Sequence, residues 1–315
     1  MSRKDELELT CGQLKPALDF LSELGLRLES IYPADDPHTA VLTSGARTVR
    51  LTSQPGSPPP GAEPAAFTPG FVLTRAGSGS GEGRAGMFYR DLIPGRLGGR
   101  FIASHITIAD GGPVADWVHY HRVAWQVIYV RSGWVRVVYE DQGEPFVANA
   151  GDVLLQPPEI RHRVLESSPG LEVVEISSPA LHETLAEHEM QLPNGKGDPA
   201  RCWSGQRFLR HVHSSAQWTP FLGGEAQETE IQSATGGIAQ LRTVRPGTRP
   251  VLAFPPHDGE LVLGFVLEGT ARLDYRDGPN IGPGDCFVVP PDEAWSLSQM
   301  SKDFRLLHVT SAAIE

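Results

Sequence analysis

His119-Tyr-His121, Gln126, Gly133 and Gly151-Asp152-Val-Leu-Leu-Gln-Pro157-Pro158-Glu-Ile-Arg161-His162 decide how this chain is read. Side chains two apart on a strand point to the same side, so His119 and His121 enter one space together. Gln126 follows five residues later, where a local bend carries it toward the same cavity. Gly133, Gly151 and the Pro157-Pro158 pair permit the tight turns that return His162 on a neighbouring strand. Three neutral imidazoles gathered in this way suit Fe(II), Mn(II), Ni(II), Cu(II) or Zn(II).

Working outward, the sequence on either side of this stretch is punctuated by turns. Strands are expected at about 100–108, 123–131, 134–139, 144–148, 152–156, 161–166 and 171–177. Several alternate as half-buried strands do, with Val135, Val137 and Tyr139 set against Trp134, Arg136 and Val138. The pattern then recurs. His121 and Gly133 fall on His257 and Gly269 at an offset of 136, while Gly151-Asp152 and Pro157-Pro158 fall on Gly284-Asp285 and Pro290-Pro291 at an offset of 133. A shorter hairpin at Asp277–Asn280 absorbs the difference, so the chain carries a tandem repeat. In the second copy Pro255 stands for His119, Val262 for Gln126 and Trp295 for His162, leaving His257 as the one matching ligand type. A single imidazole does not hold a catalytic metal, so the second copy is expected to be metal-free.

Residues 6–52 read differently. Glu6–Thr10 alternates as a strand, Leu14, Ala17, Leu18, Leu21 and Leu24 keep helical spacing up to Gly25, and strands follow at 26–31, 39–42 and 48–51. Residues 53–86 are rich in Pro, then Gly and Ser, and read as a linker or loop whose apolar 67–73 piece docks on a neighbour. In the 179–225 connection, 179–189 reads as a helix with His182 and His188 solvated. His211-Val-His213 reads as a strand that repeats the His-x-His pattern without the glycine that follows the first one.

Composition limits the partners. The 315 residues are 40% hydrophobic and 21% charged with a net charge of -11, and their Lys and Arg are scattered, which argues against nucleic acid or an anionic membrane. Cys11, Cys202 and Cys286 are far apart and suggest free thiols in a reducing compartment. The opening MSRKDELELT lacks the apolar core of a signal peptide, so a cytoplasmic location is expected.

Residues 111–162 resemble the two motifs of the cupin superfamily, G-x5-HxH-x3-4-E-x6-G and G-x5-PxG-x2-H-x3-N. The resemblance covers roughly 90–315 as a bicupin. It implies a mainly β fold of two tandem cupin (jelly-roll-like) β-barrels with a small α+β (βαβββ) N-terminal module, 1–52, which is similar to half of a glyoxalase-type (vicinal oxygen chelate) unit. That module lacks an evident set of inward His and Glu ligands and reads as a packing or dimerisation domain. The remaining divisions are a linker at 53–86, a metal-bearing barrel at 87–178, a connection at 179–225 and a degenerate barrel at 226–315. The resemblance implies metal ligands at His119, His121 and His162. The family's glutamate is replaced by Gln126, which brings no charge and is either a weak fourth ligand or a neighbour of one. A three-histidine site implies a mononuclear iron dioxygenase acting on a small molecule. A metal-dependent lyase or isomerase, or a non-catalytic binding protein, is the alternative. His105 and Tyr129 are candidate catalytic groups. Trp117, Trp125 and Phe146 are candidate pocket linings, Arg100 and Arg136 candidate anion holders, and Arg161 a candidate partner of Glu159 or Glu175. A homodimer is a possible assembly.

Overall fold

A computed structural model describes residues 6–57, 59–61, 66–195 and 197–313. The first five residues of the N-terminal module, parts of the 53–86 stretch, Lys196 in the 179–225 connection and the last two residues of the second barrel lie outside the described residues. Two β-barrels follow a βαβββ module, as the sequence implies.

The first barrel is two sheets facing each other. One carries Phe146–Asn149, Trp134–Tyr139, His162–Ser167 and His119–His121 in that order, and the other Val153–Gln156, Trp125–Ser132, Leu171–Ser178 and Ile102–Ile108. These strands lie within one or two residues of the expected ranges, because β-branched and aromatic residues on a pleated, half-buried surface favour extended backbone. The second barrel repeats the plan. Gly224–Glu228, Ala239–Arg245, Arg305–Ser311, Leu261–Glu268 and Cys286–Val288 form its larger sheet, and Leu252–Phe254, Trp295–Ser298 and Ala271–Asp274 lie in the smaller one.

The repeat extends to single turns. Gly133 and Gly269 have φ of +76° and +66°, and a Cβ on either would lie within 2.4 Å of a serine hydroxyl, Ser168 or Ser301. Only glycine meets both demands without strain. Asp152 accepts a hydrogen bond from the Asn149 amide and Asp285 one from the Gly282 amide, both at 3.1 Å. Their other carboxylate oxygens accept from the His213 and Ala76 amides, both at 2.9 Å.

Those last two contacts mark strands that the sequence divisions assign elsewhere. Leu209–His211, from the 179–225 connection, pairs with Val153–Gln156 and widens the first barrel. Val72–Thr74, from the 53–86 stretch, pairs with Cys286–Val288 and widens the second. The stretch that reads as a linker is thus partly sheet, and Phe67, Phe71 and Leu73 pack on the cores as expected. The two barrels share a buried face built from Trp125, Val127 and Ile176 against Leu261, Leu263 and Val309.

The N-terminal module contains β1 (Glu6–Thr10), α1 (Leu14–Glu23), β2 (Arg27–Tyr32), β3 (Thr39–Ser44) and β4 (Arg47–Thr52). Leu14, Ala17, Leu18 and Leu21 of α1 pack on Ile31, Ala40, Leu42 and Leu51, whereas Leu24 is exposed. The strand order is β1-β4-β3-β2, and β2 continues into the first barrel's sheet through Thr184–Ala186. The helix expected at 179–189 does not form. Thr184–Ala186 is a strand hydrogen-bonded to His119–His121 on one side and to β2 on the other. Two flanking ladders outweigh the helical propensity of the segment. No described helix is long and apolar enough to cross a membrane.

Candidate metal centre

His119, His121 and His162 meet inside the first barrel. The strand register sets His119 directly opposite His162. Ring centroids stand 4.2 Å apart for that pair, 5.2 Å for His119–His121 and 5.3 Å for His121–His162. One ring nitrogen from each lies within 4.8 Å of the others, close enough to share one ion. All three residues are buried.

The outward nitrogens fix the tautomers. His119 donates from Nδ1 to the Trp117 carbonyl at 2.8 Å, and His162 from Nδ1 to the Ile160 carbonyl at 3.0 Å. Nδ1 of His121 stands 3.2 Å from the Thr184 hydroxyl. The Asp116 carboxylate lies 3.5 Å from Nδ1 of His119 and accepts the Val164 amide. A neutral imidazole that donates from Nδ1 carries its lone pair on Nε2. Outward bonds of this kind orient ligand histidines and raise their basicity. The donor set therefore fits a divalent transition metal. Three neutral nitrogens leave the ion's full charge uncompensated by any carboxylate in the cluster.

Gln126 faces the same interior from the opposite sheet, where it is the cross-strand neighbour of Gln156. It is 1% exposed, stands outside the three-histidine cluster, and its Nε2 has no hydrogen-bond partner. Gln156, which the sequence reading missed, lines the cavity and donates from Nε2 to the Tyr139 hydroxyl at 2.7 Å. The cavity holds about 70 Å³ of free space, walled mainly by Ile106, Ile128, Val135, Val137, Leu154 and Val173. Glu175 is the carboxylate on its wall.

Residues 104–176 match the family model described as a cupin domain. The first barrel is a cupin domain. Among solved structures, a putative glyoxylate-induced protein from Pseudomonas aeruginosa superposes with a TM-score of 0.59 at 14% identity, over 83% of this chain and 95% of that one. The E. coli protein YlbA gives 0.58 at 12%, over 81% and 97%. Oxalate decarboxylase from Lactobacillus farciminis, in a formate complex, gives 0.54 at 13%, over 77% and 86%. Among curated proteins no sequence matches. The likeness shows the fold, which is that of a bicupin.

Neither of the two candidate catalytic groups lines the cavity of this barrel. His105 and Tyr129 alternate with Ile106 and Ile128, which face the cavity, so both point outward to the second barrel. His105 packs on Phe265 and bonds Glu172 at 2.8 Å; burial, with Arg90 and Arg131 nearby, holds its pKa below the ordinary value. Tyr129 belongs to the inter-barrel core, where burial pushes its hydroxyl up to about 12. Strand phase alone did not say which side was inside. His182, expected to be solvated, is 2% exposed and edge-on to His121 at 5.5 Å. It donates from Nδ1 to the Pro179 carbonyl, and burial takes its pKa down to about 4.

The remaining candidates sit off the cavity. Trp125 is buried in the inter-barrel core, and Phe146 stacks on Tyr139. Trp117 packs against the N-terminal module and edge-on to His119. Arg100 forms a forked pair with Glu260 at 2.7 and 2.9 Å, and Arg136 is exposed. Arg161 pairs with Glu187 at 3.1 Å rather than with the carboxylate of Glu159 or Glu175, and covers the outer face of Tyr120.

The second barrel keeps one histidine of the constellation, His257, and replaces the rest. Phe254, not Pro255, is the cross-strand partner of Trp295 and so occupies the place of His119. The two rings stack at 3.8 Å. His257 keeps the backbone role of His121: its carbonyl accepts the Asp292 amide as that of His121 accepts the Glu159 amide. One extra residue in Pro255-Pro256 shifts the count. Val262 and Val289 replace Gln126 and Gln156, bonded backbone to backbone.

Proposed function

We propose that this chain is a metal-dependent cupin enzyme acting on a small molecule in the first barrel, with His119, His121 and His162 as ligands. Our reading of the chemistry is a mononuclear non-haem iron dioxygenase. The observation that carries it is the convergence of three buried, Nδ1-anchored histidines beside an amide rather than a carboxylate. Bound iron(II) would supply Lewis acidity, open coordination positions and one-electron redox chemistry.

The chain's own groups then have distinct tasks. The apolar wall excludes water and favours a compact, largely apolar ligand. Gln156 keeps the Tyr139 hydroxyl in place, and its Oε1 lacks a hydrogen-bond partner and is suited to accept one from a ligand. Burial raises the Tyr139 hydroxyl far above its ordinary pKa, so it stays protonated as a donor. Gln126 serves the site as a neutral neighbour of the metal. A cytoplasmic setting, with a homodimer as the assembly, completes this reading; the three cysteines form no disulfide.

A second reading, a metal-dependent lyase or isomerase without redox change, draws on Glu175. A carboxylate on the wall of an otherwise apolar cavity is a natural proton acceptor. Metal analysis of anaerobically purified protein, followed by oxygen-uptake assays over a panel of small diketones, thiols and hydroxy acids, separates the two. Iron with substrate-dependent oxygen uptake, lost in His119→Ala, is expected. Zinc or manganese with turnover but no oxygen uptake would replace the first reading by the second. Protein that takes up none of these metals would sink both.

A further inference from the structure

Two of the three outward bonds that orient the histidines end on groups braced by the N-terminal module. Thr184 is fully buried, and its strand lies between His119–His121 and β2. Its backbone pairs with Ile31 on one side and His121 on the other, while its hydroxyl stands 3.2 Å from Nδ1 of His121. Trp117, whose carbonyl holds His119, packs its side chain against the module's core of Leu14, Ile31, Ala40, Leu42 and Leu51. Ala34, in the loop after β2, lines the metal cavity itself. His162 is different, since its Nδ1 bonds the carbonyl of Ile160 two residues away, within the barrel.

We propose that the N-terminal βαβββ module is a working part of the metal centre, and that Thr184 is the positioning residue through which it sets His121. The proposal rests on the three histidines binding a metal. A hydroxyl is used at this one position because His121 is bonded to a different chain segment. The carbonyls serving the other two histidines each lie two residues before the ring they hold, whereas Thr184 comes from a separate strand that pairs directly with β2. An outer-shell partner of a ligand histidine commonly controls affinity by ~10–100-fold. On this view the module's interior also matters to the metal, although it contributes no ligand.

Cobalt(II) titration of metal-stripped full-length protein tests this, with the visible absorption of the bound ion reporting ligand geometry. Thr184→Val removes the hydroxyl and keeps the shape. It is expected to weaken cobalt binding ~10–100-fold and to alter the spectrum, while Thr184→Ser restores both. Leu42→Ala, inside the module and away from every ligand, is expected to shift the spectrum in the same direction. Circular dichroism of each stripped variant separates misfolding from loss of positioning. A Thr184→Val protein that binds cobalt with unchanged affinity and spectrum overturns the role of Thr184. An unchanged Leu42→Ala spectrum overturns that of the module. Wild-type protein that binds no cobalt overturns the underlying metal reading, a distinct result.

Discussion

The two barrels are the same scaffold filled in two ways. Both keep the glycine turns, the Gly-Asp corners and the register that sets the first residue of one strand opposite its partner. In the first barrel that pair is His119 and His162, backed by Gln126 and Gln156. In the second it is Phe254 and Trp295, backed by Val262 and Val289. The second barrel folds without the histidines, so they are not a requirement of the architecture. A set of buried polar groups costs desolvation unless each is satisfied, and the two glutamines behind the histidines each keep an amide atom without a partner, Nε2 of Gln126 and Oε1 of Gln156. The second barrel fills most of the same space with apolar side chains, Phe254, Trp295, Val262 and Val289.

The sharpest way to break this comparison is His162→Ala. If the first barrel is a metal site, removing one of three ligands should cost more than the ~10–100-fold typical of an outer-shell partner. Elemental analysis after gel filtration should then find the ion gone, with the far-ultraviolet spectrum unchanged. Retention of a full equivalent of metal would mean that the three histidines are not its ligands.

The largest stability effect should come from the other barrel. Trp295 is 4% exposed and packs on Phe254, Phe287 and His308. Trp295→Ala should destabilise the protein by roughly 3–5 kcal/mol, the usual cost of an aromatic-to-alanine cavity. The urea midpoint should fall accordingly. His162→Ala should shift it less, because a ring facing a partly empty cavity makes fewer contacts than one stacked inside a filled apolar core.

Much of this contrast was legible beforehand. Fixed spacing from His119 to His162 picked out the three histidines that meet in the first barrel and the turns between them, and the 136 and 133 offsets pointed to the second barrel. What was not legible depended on pairings far apart in sequence. Strand phase at Ile106 and Ile128 is ambiguous in the sequence, which leaves open the face taken by His105 and Tyr129. Thr184–Ala186 is extended because of what lies on both sides of it, and no local pattern announces that. The Pro255-Pro256 insertion moved Phe254 into the place where simple counting puts Pro255. Gln156 sits inside a plain apolar run, Val153–Gln156, and its register with Gln126 was the only sign of its role.

The subtlest difference lies where the first barrel has Glu175 and the second has His308. Gln126 pairs with Ser177 and Val262 with Thr310, so counting back along each strand places these two at corresponding positions. His308 is 4% exposed, ringed by Phe254 and Trp295, and its Nδ1 has no partner. Burial holds its pKa down to about 3, against 6.5 for an unperturbed imidazole. The unfolded chain therefore binds a proton that the folded one refuses between those values. Stability from this group is fully present above pH 6.5 and is lost as pH falls toward 3. Each pH unit in that window is worth about 1.4 kcal/mol for one such group. His308→Leu should flatten the acid limb, so that unfolding free energy falls by roughly 2 kcal/mol less than in the wild type between pH 6.5 and 5. Urea melts at those two pH values measure it. Parallel acid limbs for the two proteins would show that His308 is charged, or reached by water, inside the second barrel. That barrel's core would then be less sealed than its stacked aromatic rings imply.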